Sequence, residues 1–346
     1  MSKEIIYEEK SVNEEYSKSG VANDSTILKS LSSIQKETYQ NQENHQPLLK
    51  HNYYANVIDI GNGEGIAICT DGIGNKINHL EWQGKFYCMG YDLVAMSVND
   101  IICVGAKPIS FVDYINCDLR RPSSKKHIEE FAIGLRYACN ESGVSLSGGE
   151  TAQQMGSNVF NDICGTAIGI VKKHEIIDGT NIEPGDIIYG LESSGFHCNG
   201  YSLLREKIHS KNILYNTLIP TNIYVNFVMN LLEMERKNIT GLFNITGGGF
   251  KNLLRGKNLN GNFYINNLPS KDDFSITQRE MWELVESFSC YTNYQTFNMG
   301  IGFVITSKQE IITNSLGMKI FKIGEVIRST NKCVTICSDN MIGYTS

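Results

Sequence analysis

From residue 56 almost to its end, this chain alternates runs of β-branched and aromatic residues with stretches of helical period. Several of the runs stop at glycine with a carboxylate or amide beside it. Such alternation predicts a mixed α/β fold in both halves, with sheets carrying helices and loops gathered beyond the strand ends. The first two runs, Asn56-Val-Ile-Asp-Ile60 and Ile66-Ala-Ile-Cys-Thr70, flank a Gly-Asn-Gly-Glu-Gly turn and read as a hairpin. The second run delivers Asp71 at its end, where a ligand can bind beyond the sheet edge.

A helix is predicted over roughly 89–104, where Leu93, Val94, Val98, Ile101 and Ile102 recur at helical spacing. Asp92, Asn99 and Asp100 fall on one side of it. Two readings fit that polar side: a solvated surface, or ligands working with Asp71. Pro108–Tyr114 reads as a strand, and Ser124 opens an amphipathic helix that buries Ile128, Phe131, Ala132, Leu135, Ala138 and Cys139. Strands follow at 145–151 and 162–171, then a polar stretch, 172–181, and a fresh strand at Ile187–Leu191. The predicted domains are therefore 1–174 and 175–346. In the second, helices are expected after Asn199, after Pro220, at 279–289 and at 307–316, with strands near 301–305, 320–327 and 333–337. Residues 1–50 are polar, with a loop at 39–46.

The net charge of −6 argues against non-specific nucleic-acid binding, which wants a basic face. No apolar run approaches the roughly 20 residues of a membrane span, and the charged first ten residues do not read as a signal peptide. The ten cysteines include no C-x-x-C pair and sit mostly in apolar patterns, so reduced core thiols in a cytoplasmic protein are expected.

Four glycine-bearing segments carry the chemistry. Asp71-Gly-Ile-Gly-Asn-Lys76 is a turn by its composition, and matches neither a Walker A loop nor a dinucleotide fingerprint. It offers a carboxylate, the bare backbone of Gly72 and Gly74, and the point charge of Lys76 for a phosphate. In Ser147-Gly-Gly-Glu-Thr151, Gly148 and Gly149 allow close phosphate approach beside Glu150, a possible Mg²⁺ ligand; a glycine turn with a surface glutamate is the alternative. Ser193-Ser-Gly-Phe-His-Cys-Asn-Gly-Tyr-Ser202 ends a strand and leads into a helix with Asn199 at its cap. There His197 is either a residue that orients or protonates a substrate or a surface histidine. Ser193 and Ser194 lack the G-x-S-x-G elbow of a nucleophile. Thr246-Gly-Gly-Gly249 precedes a short helix, Lys251–Arg255, and reads as a phosphate cradle or a flexible loop. Together the segments point to an enzyme that holds Mg²⁺ against the phosphates of ATP.

In this order and spacing they resemble the phosphoribosylformylglycinamidine cyclo-ligase (aminoimidazole ribonucleotide synthetase) family. The resemblance runs from Tyr16-Ser-Lys-Ser-Gly-Val21 to Phe321-Lys-Ile-Gly-Glu325, and includes Asp92–Asp100, Ser147–Ala152, Ser193–Leu203, Thr246–Gly249 and Tyr294–Gly302. It implies ATP-dependent closure of the imidazole ring of formylglycinamidine ribonucleotide. It implies a homodimer whose N-terminal sheets join into a barrel, and a C-terminal α/β sandwich. It implies Mg²⁺ on Asp71, Asp100 and Glu150, supported by Asp92 and Asn99. Gly72, Gly74, Lys76, Gly148, Gly149, Thr151 and, from the N-terminal region, Lys36 would meet nucleotide. His197, Asn199, Tyr201 and Thr246–Gly249 would hold the ribonucleotide, with Asp71, Asp100 and His197 at the chemistry.

The chain departs from the family where Asn75 replaces threonine, Gln153 a glutamate, Phe196 a proline, Gln295 an arginine and Met299 a cysteine. The departures leave open a divergent ligase or kinase acting on another amide, or a nucleotide-binding regulatory paralogue without turnover. Three relatives of the same fold fit the sequence less well. Selenophosphate synthetase needs a reactive residue near the N-terminus, whereas the first cysteine here is Cys69. The hydrogenase maturation factor ends in cysteine, unlike Gly343-Tyr-Thr-Ser346. Thiamine-monophosphate kinase lacks the Ser193–Tyr201 pattern.

Overall fold

The structure is a computed structural model that describes residues 5–6, 25–49, 53–156, 158–205, 217–256, 261–311, 317–337 and 341–345. The Tyr16–Val21 segment and residues 312–316 of the helix expected at 307–316 lie outside them; the described part of that expectation is not helical, since Ser307 ends a strand and 308–311 are irregular.

In chain order the described elements begin with β1 (Ile5–Ile6), α1 (Ser25–Tyr39), β2 (Asn56–Gly61) and β3 (Glu64–Gly72). There follow α2 (Lys76–Gln83), α3 (Phe86–Ile102), β4 (Lys107–Cys117), α4 (Ser124–Ser142), β5 (Ser145–Gln153) and β6 (Phe160–Lys172). The second half holds β7 (Ile187–Glu192), α5 (Tyr201–Leu204), α6 (Val225–Glu235), β8 (Ile239–Asn244), β9 (Gly261–Ile265), α7 (Ile276–Val285) and α8 (Cys290–Thr296). It closes with β10 (Ile301–Ser307), β11 (Ile320–Arg328), β12 (Cys333–Cys337) and β13 (Met341–Thr345).

Two sheets organise these elements. The first runs β2-β3-β6-β4-β5 and the second β1-β13-β12-β9-β11-β7-β10-β8. The hairpin expected at 56–70 forms through Asn62-Gly63, both at positive φ, the geometry a two-residue type I′ turn demands. Ile5–Ile6 pair with β13, so this piece of the N-terminus joins the second sheet instead of the 1–174 unit to which the sequence reading gave it.

On β3, Gly65 and Ala67 turn toward α3, while Ile68 faces the other way. α3 lies across β3 and β6, and α4 packs on α3. The two helices meet at glycines: a methyl on Gly134 would stand 1.9 Å from the Tyr87 carbonyl oxygen, and one on Gly90 2.1 Å from that of Phe131. On the opposite face of the sheet, Ile68, Tyr114 and Ile170 remain 36%, 38% and 47% exposed. Burial of α4 follows the expected stripe apart from Ala132, which is exposed.

α3 itself is enclosed nearly all round. Even its polar Asp92, Ser97 and Asn99 are 0% exposed: the segment 217–224 of the second half lies along Asp92 and Asn99, and Ser97 donates to the Gly165 carbonyl of β6. The two halves thus share a buried polar seam as well as an apolar core.

Candidate active site

At the end of β3, Asp71 turns to the helix-covered face, and its Oδ1 accepts the Gly72 N–H at 2.8 Å. The last turn of α3 presents Asp100 close by. Burial, and then the negative charge of Asp71, push the Asp100 carboxyl up to about 7. Burial raises Asp71 too, against the Gly72 N–H and the charge of Arg255. Two carboxyls are held together at the rim of the N-terminal half, both reluctant to ionise without a cation.

The second half reaches the same place. Asn244, the last residue of β8, donates from Nδ2 to Asp100 Oδ1 at 2.8 Å. The glycine run begins three residues later, at Gly247. Asn252 Nδ2 donates to the carbonyls of Thr246 and Gly247 and folds the loop back on itself. Gly248 and Gly249 take φ of +104° and +54°. A methyl on Gly249 would lie 2.1 Å from the Tyr294 carbonyl oxygen, so a side chain is excluded there. Asn199 faces this loop, with Oδ1 3.6 Å from where a Gly247 methyl would stand. The guanidinium of Arg255, at the end of the 3₁₀ turn Gly249–Arg255, sits 4.6 Å from the centre of the Tyr54 ring.

Three buried polar atoms around the loop find no partner among the described residues: His197 Nε2, Asn199 Nδ2 and Gln295 Oε1. Buried polar groups are nearly always satisfied, so orphans gathered at one place mark where a polar ligand belongs. His197 is 2% exposed, at φ +57°, against Gly302 and the Tyr224 ring. Burial and then the charge of Lys76 push its imidazole down to about 3. Burial thus favours the neutral ring, and the surface-histidine reading is excluded.

Several expected site residues are elsewhere. Lys76 and Asp92 are 0% exposed and pair with each other, Nζ to Oδ2, at 2.6 Å. Lys76 also donates to the Ile219 carbonyl, and Asp92 Oδ1 accepts the Thr221 N–H. Burial works against the charge on Lys76, but Asp92, Cys198 and Tyr201 outweigh it and raise its pKa. Asn99 accepts the Tyr224 N–H and donates to the Asn222 carbonyl. These three residues lock the two halves together, and the nucleotide and metal roles expected of them have no free atom to rest on. Tyr201 is buried over Lys76, with its hydroxyl on the Thr217 carbonyl, so it does not face a substrate.

Glu150 does not join the carboxylate pair within this chain. Asp71, Gly165, Asp113 and Gly149 lie in one row across the sheet; Glu150 lies in the next row, beside Tyr114, on the opposite face. Two strands intervene between β3 and β5, roughly 14 Å at the usual strand spacing. Among the described residues no group of three or more His, Cys, Asp or Glu side chains is arranged to hold a metal. Ser147–Thr151 is strand, not turn, and Gly149 is small because Asp113 would meet any side chain there. Gly74, at positive φ, opens into free space before α2, and Lys36 is exposed on α1. Gly200, not Asn199, caps α5. Asn244 and Arg255 were missed. The glycine run that starts three residues after Asn244 was a signal that could have found it; nothing local distinguishes Arg255.

Comparison with known proteins settles the class. The model of the AIR synthase related protein N-terminal domain matches residues 53–171, and that of the C-terminal domain matches residues 183–336. Both parts of that two-domain fold are thus present in order. Among curated relatives, the phosphoribosylformylglycinamidine cyclo-ligase of Thermococcus gammatolerans is 35% identical over 332 residues, covering 90% of this chain and 95% of its own. The protein of the same name from Pyrococcus furiosus is 39% identical over 268 residues, covering 75% and 76%. The chain belongs to the phosphoribosylformylglycinamidine cyclo-ligase family. Solved structures share the fold at low identity. AaThiL complexed with AMPPCP and TMP superposes with a TM-score of 0.62 at 14% identity, over 91% of this chain and 96% of that one. E. coli HypE, a hydrogenase maturation protein, gives 0.58 at 15%, over 93% and 97%.

Proposed function

We propose that the seam between Asp71–Asp100 and Asn244–Gly249 is where this cyclo-ligase joins ATP to its ribonucleotide. The reaction is ATP-dependent ring closure of formylglycinamidine ribonucleotide to aminoimidazole ribonucleotide, with release of ADP and phosphate, a step of purine biosynthesis. Its difficulty is a poor leaving group: a formamide oxygen does not depart unaided. Transfer of the γ-phosphoryl of ATP onto that oxygen makes it phosphate, and the amidine nitrogen of the same molecule then displaces it and closes the ring. The protein's work in such a reaction is alignment and charge neutralisation.

Mg²⁺ fits the residues present. Asp71 and Asp100 are hard oxygen donors whose burial and mutual repulsion a divalent cation relieves, and Mg²⁺ commonly takes only one or two carboxylates alongside phosphate oxygens. When bound, it neutralises the triphosphate. Asn244 holds Asp100 in place, and Arg255 adds positive charge at the rim. The bare backbone of Thr246–Gly249 receives the 5′-phosphate. Asn199 Nδ2 and the neutral His197 Nε2 orient the ribonucleotide. Nucleotide and metal binding belong to the part ending near residue 174, ribonucleotide binding to 175–346.

The enzyme works as a homodimer in the cytoplasm. The exposed apolar sheet face around Ile68, Tyr114 and Ile170 supports the first. Among the described residues no helix is long and apolar enough to cross a membrane.

The observation that carries this reading is the Asp100–Asn244 hydrogen bond, which brings the carboxylate pair of one half against the glycine loop of the other. The test is ADP release with synthetic formylglycinamidine ribonucleotide. Asp100→Asn is expected to lose at least about a hundredfold in turnover, as removal of a charge-stabilising group does, and His197→Ala mainly to raise KM for the ribonucleotide. Wild-type ADP release that is indifferent to the ribonucleotide would remove the proposal.

A further inference from the structure

β8 ends at the seam with Asn244 and begins, at Ile239, beside a different cleft. That cleft measures about 780 Å³, within the usual size of small-molecule sites, roughly 300–1,000 Å³. It lies where the chain passes from one half to the other, between residues 174–177, the end of α6 and Lys308. Ile177, Leu232 and Ile239, all buried, give it an apolar lining. Arg236, Lys237 and Lys308 line it as permanent cations, against the carboxylates of Glu175 and Glu233. Glu175 is already claimed: its Oε1 is 3.4 Å from Lys172 Nζ and 3.9 Å from His174 Nε2. Its Oε2 is 4.0 Å from Arg236 Nε, beyond hydrogen-bond reach. Arg236 is pinned instead through its Nη atoms, which donate to the Gly105 carbonyl at 3.3 Å and to the Glu175 main-chain carbonyl at 2.9 Å. Neutral carbonyls fix the guanidinium in place without cancelling its charge, and burial pulls its pKa down further than Glu175 restores it. Lys237 and Lys308 are exposed, and their ammonium groups make no ion pair or hydrogen bond among the described residues. The charge of Lys308 reaches the buried Asp186 only through space.

We propose that this cleft is a second binding site, for a small organic phosphate whose dianion meets Arg236, Lys237 and Lys308 and whose body covers the isoleucine and leucine lining. The surplus of positive charge selects an anion. Two uncommitted ammonium groups beside a fixed guanidinium match a doubly charged phosphate better than a singly charged carboxylate. The apolar lining favours an organic body over free phosphate. No part of this rests on the catalytic reading: none of the cleft residues named lies among those assigned to ATP or ribonucleotide.

The test is calorimetric titration of phenyl phosphate into the full-length protein with MgADP in excess, beside phenol, benzoate and inorganic phosphate as controls. Saturable binding of phenyl phosphate at millimolar concentration or below is expected, with each control at least about tenfold weaker. Lys237→Glu/Lys308→Glu should weaken phenyl phosphate about tenfold or more, the effect of losing charge-assisted contacts. The same variant should release ADP at the wild-type rate when no probe is present, which separates this site from the seam. If it fails to fold, Lys308→Ala takes its place and should still weaken the probe about tenfold. Absence of saturation by phenyl phosphate, equal binding of any control, or undiminished binding to the variant that folds would overturn the site.

Discussion

Replacing Lys76 by methionine separates two accounts of the Asp71–Lys76 segment. If Lys76 met a phosphate, its loss would raise KM for ATP and leave the fold nearly untouched. In the structure both members of the Lys76–Asp92 pair are fully buried, 2.6 Å apart. Removing the ammonium strands a carboxylate whose remaining partner is the Thr221 N–H, and deprives the Ile219 carbonyl of a donor. Breaking a buried pair from one side costs about 3–5 kcal/mol. Asp92→Asn in the same chain removes the stranded charge yet keeps an acceptor for Thr221, so Lys76→Met/Asp92→Asn should regain most of the loss, to within about 1–2 kcal/mol of wild type. The assay is urea unfolding of wild type, both single variants and the double, followed by circular dichroism, alongside KM for ATP. The pair also has a pH signature. The pKa of Lys76 is raised on folding, so its stabilisation is complete below the ordinary lysine value near 10.4 and fades as pH rises through the higher folded value. A Lys76→Met protein that unfolds within about 1 kcal/mol of wild type and needs tenfold more ATP would refute the interdomain-lock argument.

Other expectations are equally concrete. His197, held down to about 3, should show no titration of its ring Cε1–H between pH 5 and 8 by NMR; its contribution to stability is complete above about 6.5 and is lost as pH falls toward and through 3, so His197→Gln should flatten the acid limb of the unfolding midpoint. Gly302→Ala would put a methyl 2.0 Å from the Tyr224 hydroxyl and 2.3 Å from His197 Cε1; about 1–3 kcal/mol of destabilisation and a raised KM for the ribonucleotide are expected, and an alanine variant equal to wild type in both would contradict the packing. Ile170→Glu, on the exposed sheet face, should convert dimer to monomer in sedimentation velocity, whereas an intact dimer would place the subunit interface elsewhere.

How far the sequence carried the fold depended on whether a pattern was local. The 56–70 hairpin was readable because its Asn-Gly turn and its alternation lie within fifteen residues of each other. α4 showed its buried stripe for the same reason. β1 was invisible, since two isoleucines in a polar stretch become a strand only through pairing with Met341 and Ile342, at the far end of the chain. α1 and α2 were also missed: α1 lies in a stretch read only as polar, and α2 is a short helix with little apolar periodicity. The helix expected at 279–289 ends at Val285, and a second, unexpected one follows at Cys290–Thr296, capped by the Ser289 side chain.

The polar side of α3 teaches the sharper lesson. Asp92, Asn99 and Asp100 were rightly read as neighbours on one helix, and three carboxamide or carboxylate groups in a row suggested metal. Their fates diverge because of what covers each. The 219–224 segment, more than a hundred residues away in sequence, lies over Asp92 and Asn99 and turns them into acceptors for its backbone N–H groups. It stops short of Asp100, which is left facing Asp71 and Asn244. One helix face thus serves both to bolt the halves together and to present a ligand, and the bolt sets the ligand's position. Residue type and spacing alone cannot separate the two uses: an aspartate that caps a distant loop and one that awaits a cation look the same until the chain that covers them is in place.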